Sequence, residues 1–381
     1  MSNLVKVKDV IERVNTKEDR FNTDRLYYVG GEHFQSRALT VDDRGIIKGS
    51  TIGPMFYYGF KSNDFLLVSR NPHLRKAGLV NFDGICSEKT FVLHTKDERI
   101  LLQKFMPFIF QNERFWKYAI ANKHGSTNFF VNWSTLADYS FELPSIEQQK
   151  AISKLLWALN DTKKAYEDLI QKTDELVKSQ FIEMFGDLIN GPKYPGVRFG
   201  ALGEMVTGGT PSSKHDEYFG GDIPFVSTPC LGNNYISEKD AQNYLTEAGV
   251  KNSTTHRIPP YSLMVGNRVG VGKSSINTCE MCTNQDILSF INIDTTKYDL
   301  LFLKKVIEQY APYYDEQKRG ATIKGVPSDV IKNSMVPDVS LEMQKSYSHL
   351  VDQSDKSKFE LNEAIKELDA MYKRIIKDNL G

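Results

Sequence analysis

The sequence predicts an α+β protein built twice over. Two globular blocks are each followed by a long helix, and the two helices pair antiparallel as a coiled coil that relates the blocks by a pseudo-twofold axis. Three observations carry this expectation. The chain repeats itself, its similar segments carry a heptad pattern, and the stretches before them alternate short apolar runs with turn-rich loops.

The repeat is visible when Gly125-Ser126-Thr127 is placed over Gly320-Ala321-Thr322, a shift of 195 residues. The same register carries Glu147-Gln148-Gln149-Lys150 onto Glu342-Met343-Gln344-Lys345 and runs without a gap through Leu155/Leu350, Ile170/Ile365, Asp174/Asp369 and Lys178/Lys373 to Gly186/Gly381. Of 62 aligned positions 14 are identical, against roughly one in sixteen expected from composition, which marks a duplication. Upstream the copies agree in islands only: Val5-Lys6-Val7 resembles Val197-Arg198-Phe199, and Leu67-Val68 matches Met264-Val265. Two copies of one fold with diverged surfaces suggest two versions of one task.

The first block, 1–144, offers strands at Leu26-Tyr27-Tyr28-Val29, Phe65-Leu66-Leu67-Val68 and Phe91-Val92-Leu93, then a helix near 101–120. The first spacer helix falls in 145–190. Ser145 stands as its N-cap, with Glu147 early in the helix where a carboxylate favours the dipole. From Ile146 to Gly186 there is no proline, and glycine comes only at the end. Apolar or small residues recur at Ile152, Leu155, Leu159, Thr162, Tyr166, Leu169, Thr173 and Leu176, a 3-4 alternation that predicts a seam. The second block, 195–339, repeats the plan with strands at Ile223-Pro224-Phe225-Val226, Ser262-Leu263-Met264-Val265 and Ile287-Leu288-Ser289-Phe290, and a helix near 300–311. The second spacer helix, 340–381, starts at Ser340 and places Tyr347, Leu350, Ser354, Ser357, Leu361, Ala364, Leu368, Met371 and Ile375 on the matching seam. Forty residues at 1.5 Å rise make a rod of about 60 Å, which must bury its seam, and the sibling helix is the obvious partner.

Composition limits the function. Hydrophobic residues make up 40% and charged residues 25%, values of an ordinary globular protein. No run approaches the ~20 apolar residues of a membrane span. No signal core follows Met1, and four scattered cysteines fit a reducing compartment, so a cytoplasmic location is expected. With 48 basic against 48 acidic residues the net charge is zero. A nucleic-acid binder would therefore depend on local clusters, or on charge supplied by a partner.

Such clusters lie in the loops. The first block presents Arg70, Asn71, Arg75, Lys76, Lys123, His124 and Ser126. The second presents Thr210, Ser212 and Lys214, then Asn267, Arg268 and Lys273, and finally Lys318, Arg319 and Lys324. Arginine, lysine and asparagine can address purine edges in a major groove, while lysine, serine and threonine hold phosphates. Position strengthens the reading: Lys76 aligns with Lys273, and Lys123-His124-Gly125 with Lys318-Arg319-Gly320. No catalytic or metal-ligand pattern accompanies them. Asn267–Ser274 comes close to a phosphate-binding P-loop, but Asn267 replaces the first glycine, and Cys279/Cys282 is a single CxxC.

Thr207-Gly208-Gly209-Thr210-Pro211-Ser212, followed by Gly220-Gly221-Asp222-Ile223-Pro224-Phe225-Val226, resembles the opening of a target recognition domain of the specificity (S) subunits of type I restriction-modification enzymes. Leu143-Pro144-Ser145-Ile146-Glu147-Gln148-Gln149-Lys150-Ala151-Ile152 resembles the start of their spacer helix, and Lys178-Ser179-Gln180-Phe181-Ile182-Glu183-Met184-Phe185-Gly186-Asp187 its end. The first block departs from the pattern, having neither the GGTP nor the IPF text. The resemblance implies a non-catalytic reader of double-stranded DNA with a split, asymmetric target. It further implies two methyltransferase (M) subunits that use S-adenosylmethionine, and restriction (R) subunits that use ATP and Mg, with no cofactor in this chain. Two other readings are a coiled-coil adaptor that binds proteins without DNA specificity, and a nucleotide-dependent enzyme built on the loop ending at Lys273.

Overall fold

In the computed structural model, which describes residues 3–320 and 324–380, the chain divides into two units: Met1–Glu167 with Leu361–Gly381, and Asp168–Glu360. Ala321, Thr322 and Gly381, used in the repeat alignment, lie outside the described residues.

In the first unit the apolar runs form two four-stranded sheets. Ile11–Val14, Thr90–Thr95, Phe65–Val68 and Ala77–Leu79 pair antiparallel in that order. Phe65–Val68 is buried at every position, as a strand covered on both faces must be. Gly45–Ile46, Tyr27–Val29, Gly84–Ser87 and Phe56–Phe60 make the other sheet, in which Tyr27–Val29 runs parallel to Gly84–Ser87. The second unit has a five-stranded sheet in the order Glu204–Thr207, Ile287–Ile291, Leu263–Gly266, Ser274–Asn277, Tyr235–Ile236. Its four-stranded sheet again contains one parallel pair, Phe219–Val226 beside Met281–Thr283. Register settles the kinship: Val29 faces Cys86 and Val226 faces Thr283, both partners displaced by the same 197 residues.

The helix expected near 101–120 is a correction. It is three pieces: a 3-10 turn Gln103–Phe105, then helices Met106–Phe110 and Glu113–Ala121. Pro107 is tolerated because it sits in the first turn of its helix, where its missing N–H has no partner to lose. Asn112 restarts the chain, its side chain accepting from Arg114 N at 2.9 Å. The helix near 300–311 likewise ends at Gln309, and a new one, Ala311–Glu316, starts with a proline in its first turn.

The long helices are Ile146–Phe185 and Leu341–Leu380. At the first, Ser145 and Gln148 cap each other reciprocally: Gln148 N donates to Ser145 Oγ (3.3 Å) and Ser145 N to Gln148 Oε1 (3.0 Å). Ser340 Oγ accepts from Met343 N at the second. Gly186, at φ +85°, follows the first helix in the left-handed conformation that ends helices.

Each unit holds an antiparallel pair of helix halves. In the first, Trp157 and Tyr372 both pack on Phe108, and Lys163 Nζ meets Asp369 Oδ1 at 2.7 Å. In the second, Phe181 and Phe185 pack on Tyr347, whose hydroxyl donates to Val177 O, and Lys358 Nζ meets Asp174 Oδ1 at 2.7 Å. Lys163 and Lys358 are repeat equivalents, as are Asp174 and Asp369, so each unit contains the same ion pair. Both groups of the Lys163–Asp369 pair are partly solvated. Lys163→Ala is therefore expected to cost about 0.2–1 kcal/mol, with Asp369→Ala adding almost nothing on top, as read from denaturation midpoints.

The seam needs a second correction. Ile152, Leu156 and Leu159 are buried in the first unit's core, and Val177, Tyr347 and Val351 in the second's. Leu155, Leu169, Leu176 and Met371, expected inside, stand about half exposed, while Leu350 packs partly against the second core. Tyr166, Leu361, Leu368 and Ile375 are half-buried. The heptad period is as expected, but one of its two position sets lies a residue later: Leu156, Lys163, Ile170 and Val177 replace Leu155, Thr162, Leu169 and Leu176. In the second helix Val351, Lys358, Ile365 and Tyr372 make the same replacement. The cause is physical. The flank beside the seam is itself apolar, whereas the true seam includes lysines that bury their stems and send the ammonium to an aspartate.

Candidate nucleic-acid interface

The basic residues of the first unit are gathered by two loops. Val131 N donates to Ser69 O (2.9 Å) and Asn71 N to Phe129 O (2.8 Å), laying the segment 123–131 along the loop that follows Phe65–Val68. His124 and Phe130 exchange both backbone hydrogen bonds, at 2.8 and 3.0 Å, to close a small hairpin. Gly125 is required there: its φ is +90°, and a Cβ would lie 2.5 Å from Asn128 O. Arg70, Asn71, Lys123, His124 and Ser126 therefore share one surface. Lys123 Nζ sits 3.9 Å from the centre of the Phe129 ring, and Phe130 is exposed beside His124.

Arg75 and Lys76 are engaged elsewhere. The Arg75 guanidinium bonds Glu113 at 2.6 Å, and Lys76 Nζ donates to Gly31 O at 2.5 Å.

The second unit builds the same device. Arg319 and Gly325 exchange backbone hydrogen bonds at 2.8 and 2.9 Å, the repeat equivalents of His124 and Phe130. Val326 N donates to Asn267 O at 2.7 Å. Gly325 allows the close approach, since a Cβ there would lie 2.6 Å from Arg268 Cγ. The result is a cleft of about 760 Å³ whose lining includes Asn267, Arg268, Gln285 and Arg319. Arg268 is half exposed and holds Asp286 by one long contact of 3.3 Å. Lys324 and Arg319 are exposed, whereas Lys318 pairs with Asp315.

Lys273 is exposed at the end of the loop 267–273. That loop joins strand Leu263–Gly266 to strand Ser274–Asn277, so a strand stands where a P-loop needs a helix. Cys282 lies in the buried strand Met281–Thr283, where burial pushes its thiol up to about 11.

The two glycines of the GGTP text have a steric reason. A Cβ on Gly208 would lie 2.2 Å from Asn284 O, and one on Gly209 2.1 Å from Thr254 Oγ1. This close backbone packing brings Thr210 to Gln285, whose Oε1 accepts from Thr210 Oγ1 at 2.5 Å. Ser212 and Lys214 are exposed farther along the same loop. The sequence reading missed Gln285 and the aromatic pair Phe129 and Phe130. Only one signal pointed to Gln285: the polar triplet Asn284-Gln285-Asp286 interrupts two buried strands.

Comparison with known proteins decides the family. The profile of the type I restriction modification DNA specificity domain matches twice, over residues 2–173 and 196–368. The chain belongs to this family. Both matches of the specificity-domain family contain one loop pair and most of one long helix, in the order that the repeat predicts.

Among curated relatives, the type I restriction enzyme MjaIX specificity subunit of Methanocaldococcus jannaschii is 26% identical over 155 residues, 40% of this chain and 36% of that protein. The HindI specificity subunit of Haemophilus influenzae is 29% identical over 121 residues, 32% and 26% of the two chains. The chain thus matches about a third or less of the length of these relatives. The S subunit of a type I restriction-modification system from M. genitalium shares the fold, with a TM-score of 0.61 at 13% identity over 100% of this chain and 96% of that one. A chain from a structure of type I R-M complex assembly and conformational transition gives the same TM-score at 16% identity, covering 99% and 96%. No helix among the described residues is long and apolar enough to cross a membrane.

Proposed function

We propose that this chain is the DNA-specificity subunit of a type I restriction-modification system, and that each unit reads one half of a split, asymmetric target in double-stranded DNA. One observation carries the reading. The same two-loop platform occurs in both units on equivalent backbone hydrogen bonds, yet it presents Arg70, Lys123 and His124 in one and Arg268, Gln285 and Arg319 in the other. Equivalent scaffolds with unlike side chains suit two different half-sites. Backbone phosphates would be held by the lysines and serines of these loops, base edges by the arginines and amides.

The chemistry is assigned to partners. Two methyltransferase subunits would carry S-adenosylmethionine, and restriction subunits would bring ATP and Mg. Each unit offers two apolar side chains to such a partner: the half-exposed Leu155 and Met371 in the first, the half-exposed Leu176 and the partly buried Leu350 in the second. The pairs are related by the 195-residue repeat, as two copies of one partner require.

The test selects DNA targets from a randomised pool with the full chain and co-expressed methyltransferase subunits. The wild type is expected to return two short conserved blocks separated by unconserved bases. Arg268→Ala should relax or weaken one block by roughly tenfold or more and leave the other intact. Equal loss in both blocks would refute the assignment of one half-site to each unit. Failure of the wild type to select any sequence would favour the protein-binding adaptor.

A further inference from the structure

Most cations in the two platforms can serve any duplex, because a positive charge near phosphate carries no sequence information. Gln285 is different. It is exposed on the turn between the buried strands Met281–Thr283 and Ile287–Ile291, and it lines the cleft with Arg268 and Arg319. Its side-chain oxygen already accepts the Thr210 hydroxyl at 2.5 Å. That bond holds the amide in place at the cleft: with the oxygen on the hydroxyl, one of its lone pairs stays free, and the NH₂ keeps its donors. An acceptor and a donor side by side, in fixed order, are what the major-groove edge of adenine requires, with N6–H donating to the oxygen and N7 accepting from the NH₂. Asn267 lines the same cleft, and its buried Oδ1 has no hydrogen-bond partner among the described residues.

The equivalent position in the first unit makes the contrast. Asn267 N donates to Asp286 O as Ser69 N donates to Lys89 O, which places Glu88 opposite Gln285. Glu88 is committed internally: it accepts from Tyr57 Oη at 3.2 Å and pairs with Lys89 at 2.7 Å. The Lys89 hydrogen bond, the largest cause, holds its carboxyl below the usual range.

We propose that Gln285, oriented by Thr210, is a specificity-determining residue of the second unit, and that it recognises an adenine in the half-site read there. The inference rests on the DNA-reading function proposed above. It assigns no such role to Glu88.

The experiment uses the full chain with co-expressed methyltransferase subunits and measures relative affinity for duplexes substituted base by base across the selected target. The wild type is expected to prefer adenine at one position of one half-site by roughly ten- to a hundredfold. Gln285→Ala should reduce that preference below about threefold and leave the other half-site untouched, and Thr210→Val should give an intermediate loss at the same position. Circular dichroism of both variants checks that they fold, as exposed positions should allow. Base preferences in Gln285→Ala that match the wild type everywhere would overturn the inference while leaving the DNA-reading function standing. So would a uniform loss of affinity without change in preference. A wild type that selects no sequence would overturn both.

Discussion

Replacing Gln344 with alanine is expected to destabilise the second unit by about 3 kcal/mol or more, although the residue touches no platform loop. Its side chain is buried and saturated. Oε1 accepts from Asp299 N (2.9 Å), and Nε2 donates to Lys297 O (3.1 Å) and Val339 O (3.0 Å). These bonds satisfy three part-buried backbone groups, and they tie the first turn of the second long helix to the start of helix Leu300–Gln309. Alanine leaves one donor and two acceptors without their partner, at about 1–3 kcal/mol for each group that stays unsatisfied.

Gln149 is the repeat equivalent and makes the same three bonds in the first unit: from Leu102 N (3.0 Å), to Ile100 O (2.8 Å) and to Pro144 O (2.9 Å). Gln149→Ala should cost a similar amount. Glutamate should rescue neither, because a carboxylate can accept the one N–H but must face two carbonyl oxygens. Urea denaturation followed by circular dichroism measures both. A loss below about 1 kcal/mol at either position would mean that water or a repacked side chain takes over these bonds.

These glutamines show how much of the fold could be read from the chain. Gln149/Gln344, Lys163/Lys358 and Asp174/Asp369 are identities in the repeat alignment, and each does the same work in both units. Where function of a residue is local and conserved by geometry, the duplication exposed it. Periodicity gave the long helices and most strands for the same reason, because burial imposes a fixed spacing. It failed where two solutions had nearly equal hydrophobicity: Leu155 or Leu156, Leu176 or Val177. Only the neighbouring core decides which one turns inward. Helix continuity near Pro107 also depended on a detail beyond periodicity, the cap at Asn112.

The platform was legible only in part. Lys123 and Arg319 could be found because basic residues fell at equivalent points of the repeat, and Arg70 and Arg268 because a basic cluster follows each of the matching runs Leu67-Val68 and Met264-Val265. Arg75 and Lys76 looked the same in sequence, but Glu113 and Gly31 engage them across large sequence separations. Gln285 lies 75 residues from the threonine that orients it. No local pattern could join the two.

The misplaced seam leads to the prediction with the largest effect on assembly. Leu176 and Met371 are repeat equivalents, each one residue ahead of a true seam position and each about half exposed. An exposed apolar side chain contributes little to its own chain, so a glutamate there should change stability by only about 0.5 kcal/mol. Its effect on a docked partner should be much larger. Burying a carboxylate in an apolar interface costs the partner about 2 kcal/mol or more, roughly a thirtyfold loss of affinity. On the function proposed above, Leu176→Glu and Met371→Glu are each expected to reduce a complex with two methyltransferase subunits to one. The double variant should bind none while keeping the helical circular dichroism of the wild type. Light scattering or native mass spectrometry of the co-expressed complexes counts the copies. Two copies bound to the double variant at unchanged affinity would show that the partners dock elsewhere. Loss of both copies from either single variant would show that the two pairs do not serve separate partners, since equivalence under the repeat demands one partner for each.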